Sequence, residues 1–174
     1  MMNKEKNALL LFLLLFLSSW VIMFTAVWEG DAKKLAELIR QDPGFNVNMR
    51  DEDGWTLLHL ACLDCDRSPV IPLLLAHPDI DVNTKTKHVE TPFYYACWDG
   101  STSCVREMLK DSRVNVKTPD NEGRTRLRFA AYYGHLDVIK WWIASEREMD
   151  LGTPGDVDKT DVIGGQRRMA IQKW

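Results

Sequence analysis

An all-α repeat solenoid is the fold this sequence predicts, and three observations carry the prediction. Aligning "TLLHLAC" (56–62), "TPFYYAC" (91–97) and "TRLRFAA" (125–131) places Thr56, Thr91 and Thr125 at intervals of 35 and 34 residues. The segments "VIPLLLAH", "CVREMLKD" and "VIKWWIAS" begin at Val70, Cys104 and Val138, each 34 apart. The third observation is size. A unit of about 34 residues cannot bury its apolar side alone, so neighbouring units must stack into one elongated core.

The earliest element is apolar. "ALLLFLLLFLSSWVIMFTAVW" runs from Ala8 to Trp28 without a charge, 21 positions and about the length of a membrane-spanning helix. Three readings stand: a cleaved signal peptide, a retained signal anchor, or a second half that belongs to the soluble fold. The repeat register bears on the choice. Ala26 lies 35 before Ala61, which puts "VIMFTAVWEG" where a first helix of the earliest repeat would be. "LAELIRQDPGFNVN", ending at Asn48, completes that copy. The expected organisation is an apolar segment over 1–19, extending to 28 if it spans a membrane, a repeat array over 20–152, and a truncated repeat over 153–174.

Each unit reads as helix, turn, helix, extended loop. Thr91 before Pro92 is a helix start: the hydroxyl can accept from free amides, and Pro suits the first helical position. Gly100 and Gly134 fall about two turns later, where a left-handed helix end favours Gly. In the second helix of the middle unit, Val105, Met108 and Leu109 share one face at helical spacing. "IDVN" (80–83), "VNVK" (114–117) and "MDLG" (149–152) follow as β-like tetrapeptides. "DGWT" and "NEGRT" supply the Gly and polar residues that tight turns prefer.

"DEDGWTLLHLAC", "ETPFYYACWDG" and "NEGRTRLRFAAYYGHLDVIKWWI" resemble ankyrin repeats, whose units open D-x-x-G-x-T-P-L-H-x-A and carry Gly-His between their helices. The resemblance covers roughly residues 20 to 152. Departures are local. Leu57 stands for the Pro of the first full unit, and "LDCDRSP" has an extra residue and no Gly-His. Val89 replaces a turn Gly, and Arg126 and Arg128 replace Pro and His. The last unit, from Thr160, is interrupted by Gly164 and Gly165, so a frayed carboxyl end is expected.

Composition narrows the function. Lys plus Arg is 22 against 25 Asp plus Glu, a formal charge of −3, which argues against a phosphate-neutralising surface and hence against nucleic acid. No nucleophile elbow, phosphate-binding Gly loop or zinc-protease helix is present. Asp79 and Asp81 alternate along a loop and read as a solvated edge. Cys97 aligns with Cys62 and Ala131, and Cys104 with Val70 and Val138, places that want small apolar side chains, as free Cys provides. His59, Cys62 and Cys65, at i, i+3, i+6, can be drawn as a partial metal site, and Cys62 with Cys65 as a redox pair. His59 also holds the family's Thr-Pro-Leu-His position, where the imidazole links backbone and hydroxyl groups. Cys65 alone has no scaffold explanation.

The resemblance therefore implies a non-catalytic protein-binding module, monomeric and without a cofactor. Its alternatives are a thiol-based metal or redox protein using Cys62 and Cys65, and a degenerate array with no fixed partner. Family habit favours an intracellular setting with the repeats in the cytosol, tethered if residues 8–28 act as an anchor. In the family, turn tips and first helices form the binding wall. Carried over position by position, the tips are Glu52, Asp53 and Trp55, then Lys87, His88 and Glu90, then Asn121, Glu122 and Arg124. The helix face adds Leu63, Asp64, Trp98, Asp99, Tyr132 and Tyr133. Trp, Tyr and Arg dominate binding hot spots. At least one of Trp141 and Trp142 is expected in the core.

Overall fold

The computed structural model describes residues 20–117 and 125–147. Four helix pairs follow one another. They are α1 (20–28) with α2 (Ala32–Gln41), α3 (Leu57–Ala61) with α4 (Ile71–Leu75), α5 (Pro92–Asp99) with α6 (Thr102–Leu109), and α7 (Arg126–Tyr132) with α8 (Leu136–Ala144). First helices stack on first helices (α3, α5, α7) and second on second (α2, α4, α6, α8). Among the described residues there is no strand. One core runs the length of the stack, from Met23, Ala26 and Val27 through Leu58, Ile71, Leu74, Phe93 and Met108 to Leu127, Val138 and Trp142.

The helix starts obey local chemistry. Thr91 Oγ1 accepts from the Tyr94 amide at 3.3 Å, and Pro92 occupies the first helical position. Thr125 repeats the device, accepting from the Arg128 amide at 3.4 Å. In α3 the latch is different: the Thr56 amide donates to His59 Nδ1 at 3.1 Å, and Thr56 Oγ1 meets the same nitrogen at 2.9 Å. His59 Nε2 reaches the Glu90 carbonyl of the next unit at 3.2 Å, so one imidazole ties two repeats. These contacts fit a neutral ring with its proton on Nε2.

Helix ends separate the units. α5 stops at Gly100 with φ of 76°, and the ring of His135 from the next unit lies directly over it. A Cβ there would stand 2.3 Å from His135 Nδ1, so Gly100 is required by handedness and by close approach together. His135 Nε2 in turn meets the Trp98 carbonyl at 3.0 Å. After α3 no Gly is available. Cys62 keeps a right-handed conformation, and the chain re-enters through a 3₁₀ turn, Cys65–Val70, capped by Asp64, whose carboxylate accepts from the Asp66 amide at 3.0 Å.

Of the tetrapeptides expected to be β-like, 80–83 and 114–117 are turn and bend rather than strand, and 149–152 lies outside the described residues. Short polar side chains bond their own backbone two residues on: Asn46 to the Asn48 amide, Asp81 to the Asn83 amide and Asn115 to the Lys117 amide. Asn48 and Asn83 also bridge units. Asn48 donates to the Asp79 carbonyl and accepts from the Asp81 amide, and Asn83 does the same with Arg113 and Asn115. Two arginines 34 apart act alike: Arg113 donates to the Leu75 carbonyl and Arg147 to the Leu109 carbonyl, each holding the end of the preceding second helix. Among the described residues hairpin-like structure is confined to the tips, where the Thr86 amide donates to the Glu90 carbonyl and the Lys87 amide to the Asp53 carbonyl.

Residues 20–28 belong to the array. Met23, Ala26 and Val27 are buried in the core, and Arg67 of the 3₁₀ turn donates to the Trp28 carbonyl at 3.1 Å while its guanidinium covers the Trp28 ring. The packed reading of this stretch is thus the one the fold adopts. Among the described residues no helix is long and apolar enough to cross a membrane. Residues 1–19 and 148–174, and with them the apolar segment over 8–19 and the truncated last repeat, lie outside the described residues.

Candidate functional site

The family-implied wall divides into side chains that face water and side chains taken up by the scaffold. Trp98, Tyr132 and Tyr133 are exposed, at 44, 42 and 49 %. They also touch. Tyr133 meets Trp98 edge-on at 6.3 Å between ring centroids and Tyr132 edge-on at 5.0 Å. Aromatic pairs at these separations add attraction beyond burial and hold each other's rotamers. Position explains the exposure: Trp98 is one residue past buried Cys97 at the end of α5, and Tyr132 and Tyr133 end α7 just before Gly134.

Behind this cluster a line of rings joins Tyr133 to Trp55 through Phe129, Tyr94 and Tyr95, three residues that the family-implied wall does not include. Tyr133 stacks on Phe129 at 6.5 Å, Phe129 meets Tyr94 at 5.2 Å, Tyr94 meets Tyr95 at 5.3 Å, and Tyr95 meets Trp55 at 4.4 Å. The line runs from α7 across α5 to the tip that leads into α3. Its signal was present as the doubled aromatics in "TPFYYAC" and "AAYYG", but only stacking decides which rings meet.

Trp55 therefore is not a free anchor. It is half-buried, against Tyr95 and 5.8 Å from His59. Glu90 is engaged as well: its carboxylate accepts from the Tyr95 hydroxyl and from Thr86 Oγ1 at 3.4 Å. Burial first, then Glu90, pushes the Tyr95 phenol up, keeping it a donor. Asp53 and Lys87 stand opposite each other on neighbouring tips at 3.6 Å. Glu52, His88, Asp64 and Asp99 are exposed, and Leu63 is half-buried against the core. Asn121, Glu122 and Arg124 lie outside the described residues.

The thiols sort differently from the metal or redox pairing of Cys62 with Cys65. Cys62 is buried, and burial drives its thiol well above the ordinary range; Cys65 is exposed. Cys97 is buried and raised for the same reason, as packing predicted for that position. His59 is committed on both nitrogens, and burial holds its pKa down at about 4. Among the described residues no group of three or more His, Cys, Asp or Glu is placed to hold a metal. Of the tryptophan pair, Trp142 is core, edge-on to Phe93 at 5.2 Å, while Trp141 is exposed beneath Arg106.

The family model described as ankyrin repeats (3 copies) matches residues 22–120 and 65–153. The chain matches no curated protein. The matched span covers the four helix pairs, the Thr-anchored helix starts and the stacked core. On that coverage, the chain belongs to the ankyrin repeat family.

Proposed function

We propose that the chain is a protein-binding module whose anchors are Trp98, Tyr132 and Tyr133. Ankyrin repeats are protein-interaction modules and generally non-catalytic, which supplies the class. One observation carries the finer reading: three large aromatics, Tyr133 touching both of the others, remain exposed at the ends of α5 and α7, while the remaining rings of those two helices, Phe93, Tyr94, Tyr95 and Phe129, are buried. Exposed rings whose rotamers are already held give contact area at low entropic cost. Asp99 follows Trp98 in the chain, and Asp64 holds the equivalent place one unit earlier; both are exposed, which favours a partner segment pairing apolar anchors with basic groups.

Affinity capture from a lysate of the source organism tests this, with the chain beside its Trp98→Ala/Tyr132→Ala variant, both shown to be folded by far-UV dichroism and cooperative melting. A protein retained by the first and lost from the second supports the wall. Equal recovery by both refutes it.

A further inference from the structure

Cys65 is the one cysteine that packing does not explain, and its place in the fold supplies an explanation. It opens the 3₁₀ turn Cys65–Val70, and α6 of the next unit packs on that turn. Cys104, on α6, points its sulfur at the turn: Sγ lies 3.2 Å from the Asp64 carbonyl oxygen and 3.5 Å from that of Ala61. The Asp64 carbonyl belongs to the peptide unit that carries Cys65. The Cys104 sulfur therefore rests against the stretch of backbone from which the Cys65 side chain springs. Cys65 is exposed, Cys104 is not, and both are thiols. We propose that Cys65 and Cys104 form a reversible disulfide joining the inter-helix turn of one repeat to the second helix of the next, with Cys65 as the oxidant-facing sulfur and Cys104 as the resolving one.

With a peroxide as oxidant the chemistry balances. The Cys65 thiolate attacks one oxygen of hydrogen peroxide; the O–O bond breaks, leaving Cys65 as sulfenic acid and releasing hydroxide, which is protonated to water. The Cys104 sulfur then attacks the Cys65 sulfur. The S–O bond breaks, and the departing hydroxide takes the Cys104 proton and leaves as a second water. Two thiols and one peroxide give one disulfide and two waters, with two electrons passing from sulfur to oxygen.

The second step is the slow one. Burial, with the nearby Cys65 sulfur and Asp64 adding to it, pushes the Cys104 thiol up to about 12, so little of it is thiolate. Attack waits on a small opening of α6 from the turn. An exposed sulfur also leaves the finished bridge open to thiol reductants, which makes it reversible. Cys62 and Cys97, buried on both counts of access and protonation, stay outside the reaction.

The test uses the full chain, purified with reductant, desalted and exposed to a modest excess of hydrogen peroxide. Free thiols are then alkylated and the protein digested without reduction for mass spectrometry. The expected product is a peptide pair joined through Cys65 and Cys104 and lighter by two hydrogens, with Cys62 and Cys97 alkylated only after unfolding. The bridge closes a long loop, so the melting temperature rises by about 10 °C and falls back on reduction. Cys65→Ser, at an exposed position, abolishes both changes without disturbing the fold. In Cys104→Ala, Cys65 instead accumulates as a sulfenic acid that dimedone traps. The proposal is overturned if wild-type Cys65 proceeds to sulfinic or sulfonic acid while Cys104 remains a thiol, or if the bridge found joins Cys65 to Cys62 or to Cys65 of a second molecule.

Discussion

Two turn tips a repeat apart, residues 51–59 and 86–94, solve one geometric problem with different residues. Both must turn the backbone through a left-handed position before the helix-starting threonine. The first places Gly54 there with φ of 85°; the second places Val89 there with φ of 66°. A β-branched side chain rarely adopts that region, because its Cβ crowds the backbone. The second tip holds it nonetheless, with the Val89 amide donating to the Thr86 carbonyl and Glu90 held by Thr86 and Tyr95. The compensation at the helix start runs the other way. The second unit has Pro92 where the first has Leu57, and the first has the His59 latch where the second has Tyr94. Stacking tolerates an unsuitable residue at one position when the flanking bonds over-determine the backbone.

The largest way to break the first tip is acid. Folding holds His59 neutral with a pKa near 4, while the unfolded chain titrates at the ordinary 6.5. The unfolded state therefore binds the extra proton between those values. The stabilisation is fully present above pH 6.5 and is lost as pH falls towards 4, up to about 3 kcal/mol. Denaturant melts at pH 7 and pH 4.5 check this. The loss should be markedly smaller in His59→Asn, which cannot titrate, and an unchanged pH slope in that variant would contradict the assignment.

Converting the first tip into the second is next in size. Gly54→Val imposes the left-handed strain and brings its Cβ to 3.3 Å from the Lys87 amide nitrogen and the Thr86 Cα, backbone atoms that cannot step aside. A cost of about 2 to 3 kcal/mol is expected from urea unfolding. The reverse exchange, Val89→Gly, removes strain but adds freedom to the unfolded chain, for a net gain of about 1 kcal/mol. A loss there would mean that the half-buried Val89 side chain contributes more by packing than its backbone costs. The smallest effect belongs to the ion pair linking the tips: with both side chains well exposed, Lys87→Ala should shift stability by no more than about 0.5 kcal/mol, and by less in high salt.

Much of the architecture was legible in the residues. The intervals between Thr56, Thr91 and Thr125 set the units, and Thr91-Pro92 and Gly100 marked a helix start and a helix end that the fold uses. Cys97 and Cys104 were readable as core from their register alone. The candidate wall was half legible. The family resemblance put Trp55, Glu90, Trp98 and Tyr133 on one wall, yet it is silent about sideways neighbours, and Tyr95 draws in both Trp55 and Glu90. The roles of Asn48, Asn83, Arg113 and Arg147 were missed for a related reason: each bonds a carbonyl 30 to 38 residues away, and a polar residue in a loop carries no mark of such a partner.

By itself, then, the sequence determined the period, the helix starts and ends, and which positions in each unit are small or apolar, because these follow from chain geometry and local hydrogen bonding within a few residues. Tertiary structure alone decided that residues 20–28 pack as a first helix, that Val89 takes a left-handed turn, that Trp98, Tyr132 and Tyr133 stay exposed together, and that the Cys104 sulfur rests beside the peptide of Cys65. Each of those outcomes depends on which surfaces of adjacent units meet, a property of the stack that no single repeat contains.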